Sequence, residues 1–182
     1  MQIVRHDEHV FTLRPLLAPD ECAELIGLAE AHGFEPAGVR TADGGQKPMA
    51  HVRNNERAVF ESPDWVARLW RRLQEAGLPA LGGEIATGLP RALRFYKYGP
   101  GQRFRMHKDG PWSEDGRSSR LTLLVYLNDG FAGGDTDFRQ FRVAPRTGDG
   151  LLFVHDTWHE GAAVTAGVKY ALRSDVMYAR PA

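Results

Sequence analysis

Tyr98-Gly99-Pro100-Gly101-Gln102-Arg103-Phe104-Arg105-Met106-His107-Lys108-Asp109 is the stretch on which the reading of this chain turns. A β-type run ends at Tyr98, the Gly-Pro-Gly segment makes a turn, and a second short run ends in His-x-Asp. Residues two apart on a strand point to the same face, so His107 and Asp109 present an imidazole and a carboxylate side by side. A lone H-x-D is common by chance and needs further ligands before it means a metal. Two histidines qualify, His155 and His159, both in Phe153-Val154-His155-Asp156-Thr157-Trp158-His159-Glu160-Gly161. Their i, i+4 spacing would suit a zinc site on a helix, but the apolar Leu151-Leu152-Phe153 before them and the Gly-containing turn after them argue against a helix. With His159, the set becomes two histidines and one carboxylate. That combination can occupy one face of an octahedral Fe(II) and leave the other face open.

Working outward, residues 92–98, 103–107, 120–127, 135–141, 150–154, 160–164 and 168–178 read as short strands separated by Gly and Pro. Many short strands with such punctuation predict a sandwich or barrel. Upstream, Val10 to Leu13 reads as one more strand. A helix opens at Pro19-Asp20-Glu21 and places Cys22, Leu25, Ile26 and Ala29 at helical spacing before Gly33 stops it. A second opens at Ser62-Pro63-Asp64, carries Trp65, Val66, Leu69, Trp70 and Leu73 on one face, and ends near Gly77. Residues 41–48 and 79–90 read as loops. Two helices are too few to bury their own apolar faces, so they are expected to pack on the outside of a β core. One domain over 1–182 is expected, with helical support over about 1–90 and the β core over about 91–178.

Lys169-Tyr170-Ala171-Leu172-Arg173 reads as a strand with Lys169, Ala171 and Arg173 on one face. Two cations turned into a β core are costly if unpaired, so either that face is solvated or a buried anion, such as a dicarboxylate, is bound there. The polar run Arg53-Asn54-Asn55-Glu56-Arg57 and the loop around Trp112 are the remaining candidates for contact with a substrate, with a solvated surface as the bland alternative. If His159 is the ligand, His155 is a residue at the pocket rim or one that supports the ligands from behind, with a partly buried, hydrogen-bonded His as the bland alternative.

Composition narrows the classes. The 182 residues are 42% apolar and 25% charged, with 23 basic and 23 acidic side chains. Zero formal charge argues against a general electrostatic hold on nucleic acid. The one cysteine, Cys22, cannot close an intrachain disulfide. The charged start has no apolar core of a signal peptide and no run is long enough to span a bilayer, so the expected compartment is the cytoplasm.

Taken together, these segments resemble the prolyl-4-hydroxylase-type 2-oxoglutarate/Fe(II) dioxygenases. Tyr98 to Asp109 resembles the first signature of that family, and Thr122-Leu-Leu-Val-Tyr126-Leu127-Asn128 its next strand. Gly133-Gly134-Asp-Thr136-Asp-Phe138 resembles its glycine turn, and Pro145-Arg-Thr-Gly148-Asp-Gly-Leu-Leu152-Phe153 the segment before the distal histidine. His159-Glu-Gly-Ala-Ala-Val164-Thr-Ala-Gly167-Val-Lys169 resembles that histidine with its basic residue ten positions on, which selects His159 over His155.

The resemblance implies a double-stranded β-helix, or jelly roll, mainly β with helices on one sheet. It implies Fe(II) on His107, Asp109 and His159, and 2-oxoglutarate held by Lys169 with Tyr98, Tyr126 and Arg173 as further contacts. O2 is the co-reactant and ascorbate a reductant. The expected reaction is hydroxylation of a prolyl or other protein side chain, a free amino acid or a small metabolite, with release of succinate and CO2. The expected substrate contacts are Arg53, Asn54, Arg57, Trp112 and His155. The rival from another class is a non-catalytic jelly-roll module in which the triad holds a structural or sensory metal.

Overall fold

The computed structural model describes residues 1–40, 45–47 and 49–181. Its centre is the strand Lys169–Ala179, which alternates in two opposed chemistries. Leu172, Val176 and Tyr178 belong to a large apolar cluster on one side. Lys169, Arg173 and Asp175 are equally buried but face the other way. The neighbouring strands repeat the division. Ala92–Tyr98 sends Leu93 and Phe95 to the apolar side and Tyr96 and Tyr98 to the opposite one. Arg117–Tyr126 sends Leu121, Leu123 and Val125 to the apolar side and Tyr126 inward.

These strands lie in an antiparallel major sheet. Its order runs Gln2–Arg5, Val10–Arg14, Gly150–Val154, Arg117–Tyr126, Lys169–Ala179, Ala92–Tyr98, Glu56–Glu61, Glu35–Pro36. A smaller antiparallel sheet runs Arg142–Val143, Thr136–Asp137, His159–Gly161, Phe104–His107. Its residues pack on the inner face of the major sheet: Phe138 and Val143 cluster with Tyr126, Leu151 and Phe153, and Phe104 packs against Tyr96, Tyr98 and Val164. The result is a jelly roll.

Two helices close the outer face, α1 (Pro19–His32) and α2 (Pro63–Ala76). Each has Pro in its first turn and an acid near its positive end, and each stops at a glycine with positive φ, Gly33 and Gly77. α1 buries Cys22, Leu25 and Ala29, and α2 buries Trp65, Leu69 and Leu73, all in the apolar cluster. The helices are pinned together by Arg72, whose Nη1 and Nη2 donate to Glu21 Oε2 and Oε1 at 2.8 and 2.7 Å. Glu21 also accepts from the Ala18 backbone N–H at the helix start, so one carboxylate caps α1 and docks α2.

The upstream part of the chain supplies more than helical support. Gln2–Arg5, Glu56–Glu61 and Ile85–Gly88 are strands of the major sheet. Gln2–Arg5 lies at an edge and Ile85–Gly88 pairs off the main path, so neither carries the full alternation of a buried strand. Within the expected loop over 41–48, residues 41–44 and 48 lie outside the described residues. On either side of 41–44, Val39–Arg40 pairs antiparallel with Gln46–Lys47. Among the described residues no helix is long and apolar enough to cross a membrane.

Leu69 is fully buried between α2 and the sheet, so Leu69→Ala removes a side chain from a closed core. Urea unfolding is expected to show a loss of about 2–5 kcal/mol. Val59→Ala, at a position 40% exposed, is expected to stay within about 0.5 kcal/mol.

Candidate active site

His107 ends the strand Phe104–His107, and His159 opens the strand His159–Gly161. The two strands pair antiparallel with His159 directly opposite His107, so β-pairing brings the imidazoles together at a ring-centroid distance of 4.3 Å. Asp109 follows two residues after His107, and its backbone N–H donates to the His155 carbonyl at 3.1 Å. That bond ties the carboxylate to the loop leading into His159. One ligand atom from each of His107, Asp109 and His159 lies within 4.8 Å of the others.

The imidazoles are oriented from behind. His107 Nδ1 lies 2.7 Å from the Arg105 carbonyl and His159 Nδ1 lies 3.0 Å from the Thr157 carbonyl. A carbonyl only accepts, so each Nδ1 carries the proton and each Nε2 keeps its lone pair. Both Nε2 atoms face Asp109, at 3.5 Å from Oδ1 for His107 and 3.7 Å from Oδ2 for His159. Phe104 stacks on the His107 ring at 3.6 Å, and Phe153 lies 4.5 Å from the His159 ring. Burial pushes the His159 imidazole down to about 4, which keeps it neutral at physiological pH. Burial would raise the Asp109 carboxyl, but the Arg173 guanidinium beside it holds it well below the usual carboxylate range.

Asp109 is braced by the major sheet. The Thr122 hydroxyl donates to Asp109 Oδ2 at 2.5 Å, and Arg173 Nη2 approaches the same oxygen at 3.1 Å. Arg173 Nη1 reaches Asp175 Oδ2 at 3.0 Å, and Arg94 Nη2 bonds that oxygen from the adjacent strand. Asp109, Arg173, Asp175 and Arg94 therefore form an alternating chain of charges. Arg173 was expected beside Lys169 as a co-substrate contact. Its guanidinium is instead engaged by two carboxylates, four residues and about 13 Å along the strand from Lys169.

His155 stands behind the cluster rather than in it. The single proton of the Thr122 hydroxyl goes to Asp109, so Thr122 accepts from His155 Nδ1–H at 3.0 Å. His155 Nε2 then accepts from the Ser119 hydroxyl at 2.7 Å. Both ring nitrogens are occupied by these hydroxyls.

Lys169 lies 3% exposed between the rings of Tyr98 and Tyr126, 5.3 and 5.5 Å from their centroids. Its Nζ donates to the Gly134 carbonyl at 2.6 Å, and among the described residues no carboxylate bonds it. Burial pushes the ammonium down to about 8, with only Asp135 opposing. Gly134 adopts a positive φ of 73°, and a Cβ there would come within 3.2 Å of the Lys169 side chain. The glycine turn therefore makes room for the lysine. Tyr126 shares a hydrogen bond of 2.7 Å with Thr136, and burial raises the hydroxyls of both Tyr126 and Tyr98.

The remaining sequence candidates divide. Arg53 is 7% exposed and packs between the rings of Tyr96 and Phe104, 4.2 and 4.4 Å from their centroids. Arg57 is half-buried in the strand Glu56–Glu61, opposite Tyr96 in the ladder. Asn54 is exposed and braces a loop: its Oδ1 accepts from the Arg103 N–H at 2.8 Å, and its own N–H donates to the Arg103 carbonyl. Trp112 is 36% exposed, in a short hairpin tied to Ser119 and 6.0 Å from the Arg94 guanidinium. Sequence reading missed Thr122, Arg94 and Asp175. Their signal was positional, since Thr122 and Asp175 pair across the ladder and Arg94 pairs with Arg173.

Comparison with known proteins agrees with this architecture. Residues 93–174 match the 2OG-Fe(II) oxygenase superfamily. A PKHD-type hydroxylase of Klebsiella pneumoniae is 27% identical over 179 residues, covering 89% of this chain and 75% of that protein. The structure of a viral collagen prolyl hydroxylase from Paramecium bursaria chlorella virus-1 aligns with a TM-score of 0.69 at 21% identity, covering 93% of this chain and 96% of that one. A prolyl-4-hydroxylase from Pseudomonas putida aligns with a TM-score of 0.69 at 19% identity, covering 93% of both chains. Those two likenesses carry the fold. The family match spans the segments that bear His107, Asp109, His159 and Lys169, and together with the hydroxylase relative it supports a 2OG-Fe(II) dioxygenase.

Proposed function

We propose that His107, Asp109 and His159 hold the Fe(II), that Lys169 anchors the far carboxylate of 2-oxoglutarate with Tyr98 and Tyr126 beside it, and that the chain hydroxylates a C–H bond of a substrate entering past Arg53, Arg57 and Trp112. The observation that carries this reading is the pairing of two features on one interior. Two imidazole Nε2 atoms and a carboxylate converge within 4.8 Å, and a buried ammonium without a carboxylate partner among the described residues lies on the same sheet face. The donor set fits Fe(II), because two nitrogens and one oxygen on one side leave positions for further ligands. A structural zinc site would close four positions with protein ligands, whereas the cluster among the described residues has three.

Fe(II), 2-oxoglutarate and O2 together supply the oxidation, with 2-oxoglutarate leaving as succinate and CO2. The chain's own groups orient and exclude. Carbonyls behind each imidazole fix its tautomer. Arg173 and Thr122 hold one oxygen of Asp109, so the carboxylate is oriented and its other oxygen would be free to help hold the metal. Arg173 is thus a positioning residue acting through Asp109, and Lys169 is the main co-substrate anchor. Phe104 and Phe153 pack the imidazoles and keep water from their faces. Ascorbate serves as the reductant that keeps the metal ferrous.

A prolyl side chain in a peptide leads the substrate classes, because proteins named prolyl hydroxylases share this fold. A free amino acid or a small metabolite uses the same chemistry. The whole of 1–182 works as one catalytic domain, supported by a major sheet built from strands of both halves. The cytoplasm is the compartment, in keeping with a lone, buried cysteine.

Two outcomes test this reading. Protein loaded with Fe(II) and 2-oxoglutarate without oxygen is expected to show a weak metal-to-ligand charge-transfer band. Asp109→Ala should lose the band and His155→Ala should retain it in weakened form. Absence of the band in the wild type contradicts the oxygenase assignment, and equal loss in both variants contradicts the choice of ligands. The second outcome concerns Lys169, which titrates near 8 when folded and near 10.4 when unfolded. Between those values the unfolded chain holds a proton that the folded chain has released, so this group makes stability rise with pH. Comparing the ligand-free wild type with Lys169→Met by denaturant melts from pH 7 to 9.5 should show the variant more stable at pH 7. The gap should be of order 3 kcal/mol and narrow as pH rises.

A further inference from the structure

Around Tyr96 the inner face of the sheet carries more positive charge than its acids neutralise. Tyr96 lies opposite Arg57 on one side of the ladder and Ala171 on the other, with Arg94 two residues away on its own strand. Burial would raise the Tyr96 hydroxyl, yet Arg53, Arg173 and Arg94 together draw it down. Arg94 and Arg173 share Asp175, and Arg173 also holds Asp109. Among the described residues neither Arg53 nor Arg57 has an ion-pair partner, and Glu35 is the acid nearest in register to Arg57.

Arg53 is the most constrained of these cations. Its Nε donates to Asn55 Oδ1 at 2.7 Å, and its plane is clamped between the Tyr96 and Phe104 rings. Its Nη2 is buried without a hydrogen-bond partner. With Nε bonded and both faces packed, the guanidinium fork offers a carboxylate its unpartnered Nη2, beside the Tyr96 hydroxyl that Arg53 also meets. Leaving such a group unmet costs free energy, which a bound anion removes. The fork is also close to the chemistry, because Phe104 stacks directly on His107. Lys169 serves the other end of the interior: it pairs with Tyr98, two residues beyond Tyr96 on the same strand face and roughly 7 Å from it. The two anion sites are therefore distinct.

We propose that the primary substrate carries a carboxylate and that Arg53, with Arg57 behind it, binds that carboxylate and sets the target C–H bond against the metal site. The proposal rests on the oxygenase reading above and narrows its substrate class. The carboxylate could belong to a free amino or other small organic acid, or to an acidic side chain of a peptide.

The test uses the full chain loaded with Zn(II) and 2-oxoglutarate, so that the Lys169 end is filled and no turnover occurs. Side-chain Nε–H NMR signals of the arginines are followed while propionate or propionamide is added. Propionate is expected to shift the Arg53 signal and propionamide to leave it in place, with apparent affinities differing by about tenfold or more. Equal response to both compounds, or no response to either, overturns the proposal. Failure of 2-oxoglutarate to bind the Zn(II) protein would instead overturn the oxygenase reading, so the two failures are told apart. With active Fe(II) protein, free L-amino acids are screened against their amides, and Asp or Glu peptides against Asn or Gln counterparts, for stimulation of succinate release. Stimulation confined to the acid of a pair supports the proposal and identifies the source, whereas an amide that works as well as its acid contradicts it. Arg53→Lys keeps the charge and loses the fork, and is expected to raise KM for the acid about tenfold or more with a smaller change in kcat.

Discussion

A β-sheet covered on both sides must neutralise every charge it turns inward, because an isolated buried charge costs far more than one hydrogen bond returns. The strand Lys169–Ala179 meets that constraint at the centre of this protein. Its outer face is closed by α1 and α2 over Leu172, Val176 and Tyr178, which makes the sheet rigid. Its inner face carries Lys169, Arg173 and Asp175, all under a tenth exposed. Arg173 is neutralised within the fold by Asp109 and Asp175. Lys169 is not, and that asymmetry separates the part of the interior that is structurally complete from the part that calls for a ligand.

The same constraint accounts for the orientation of His107, Asp109 and His159. Asp109 stays ionised in a buried place because Arg173 and Thr122 come from the rigid sheet to meet it. The imidazoles come from the smaller sheet, opposite one another in a single ladder, with their Nδ1 protons committed to the backbone. A site split between two sheets depends on how the sheets pack, so the apolar contacts of Phe104, Phe138 and Phe153 bear on its geometry as much as the ligands do. His155 joins this support through Thr122, one bond removed from Asp109.

Much of this was legible in the sequence, for physical reasons. Strands such as Ala92–Tyr98 and Gly150–Val154 are buried on both faces and announce themselves as β-rich runs between turns. Both helices were marked by Pro, acids and Gly at their ends. The His107, Asp109 and His159 cluster followed from spacing together with a family resemblance. What was not legible depended on register. Glu56–Glu61 looks polar because half its residues face solvent or other charges, and its place beside Ala92–Tyr98 is fixed only by pairing. The engagement of Arg173 by Asp109 and Asp175 is likewise invisible until Thr122 is seen opposite Asp175 across the ladder. Cation-rich strand faces reveal that an anion is needed, but not whether the protein or a ligand supplies it.

The central claim is that the triad and Lys169 form one binding site, so that metal and 2-oxoglutarate bind together. Calorimetric titration of 2-oxoglutarate into the protein with and without Mn(II) measures this coupling directly. The account predicts that affinity for 2-oxoglutarate depends on the metal and falls by about tenfold or more in its absence. Affinity that is the same with and without Mn(II) would show that Lys169 and the triad do not share a ligand, and would contradict the account.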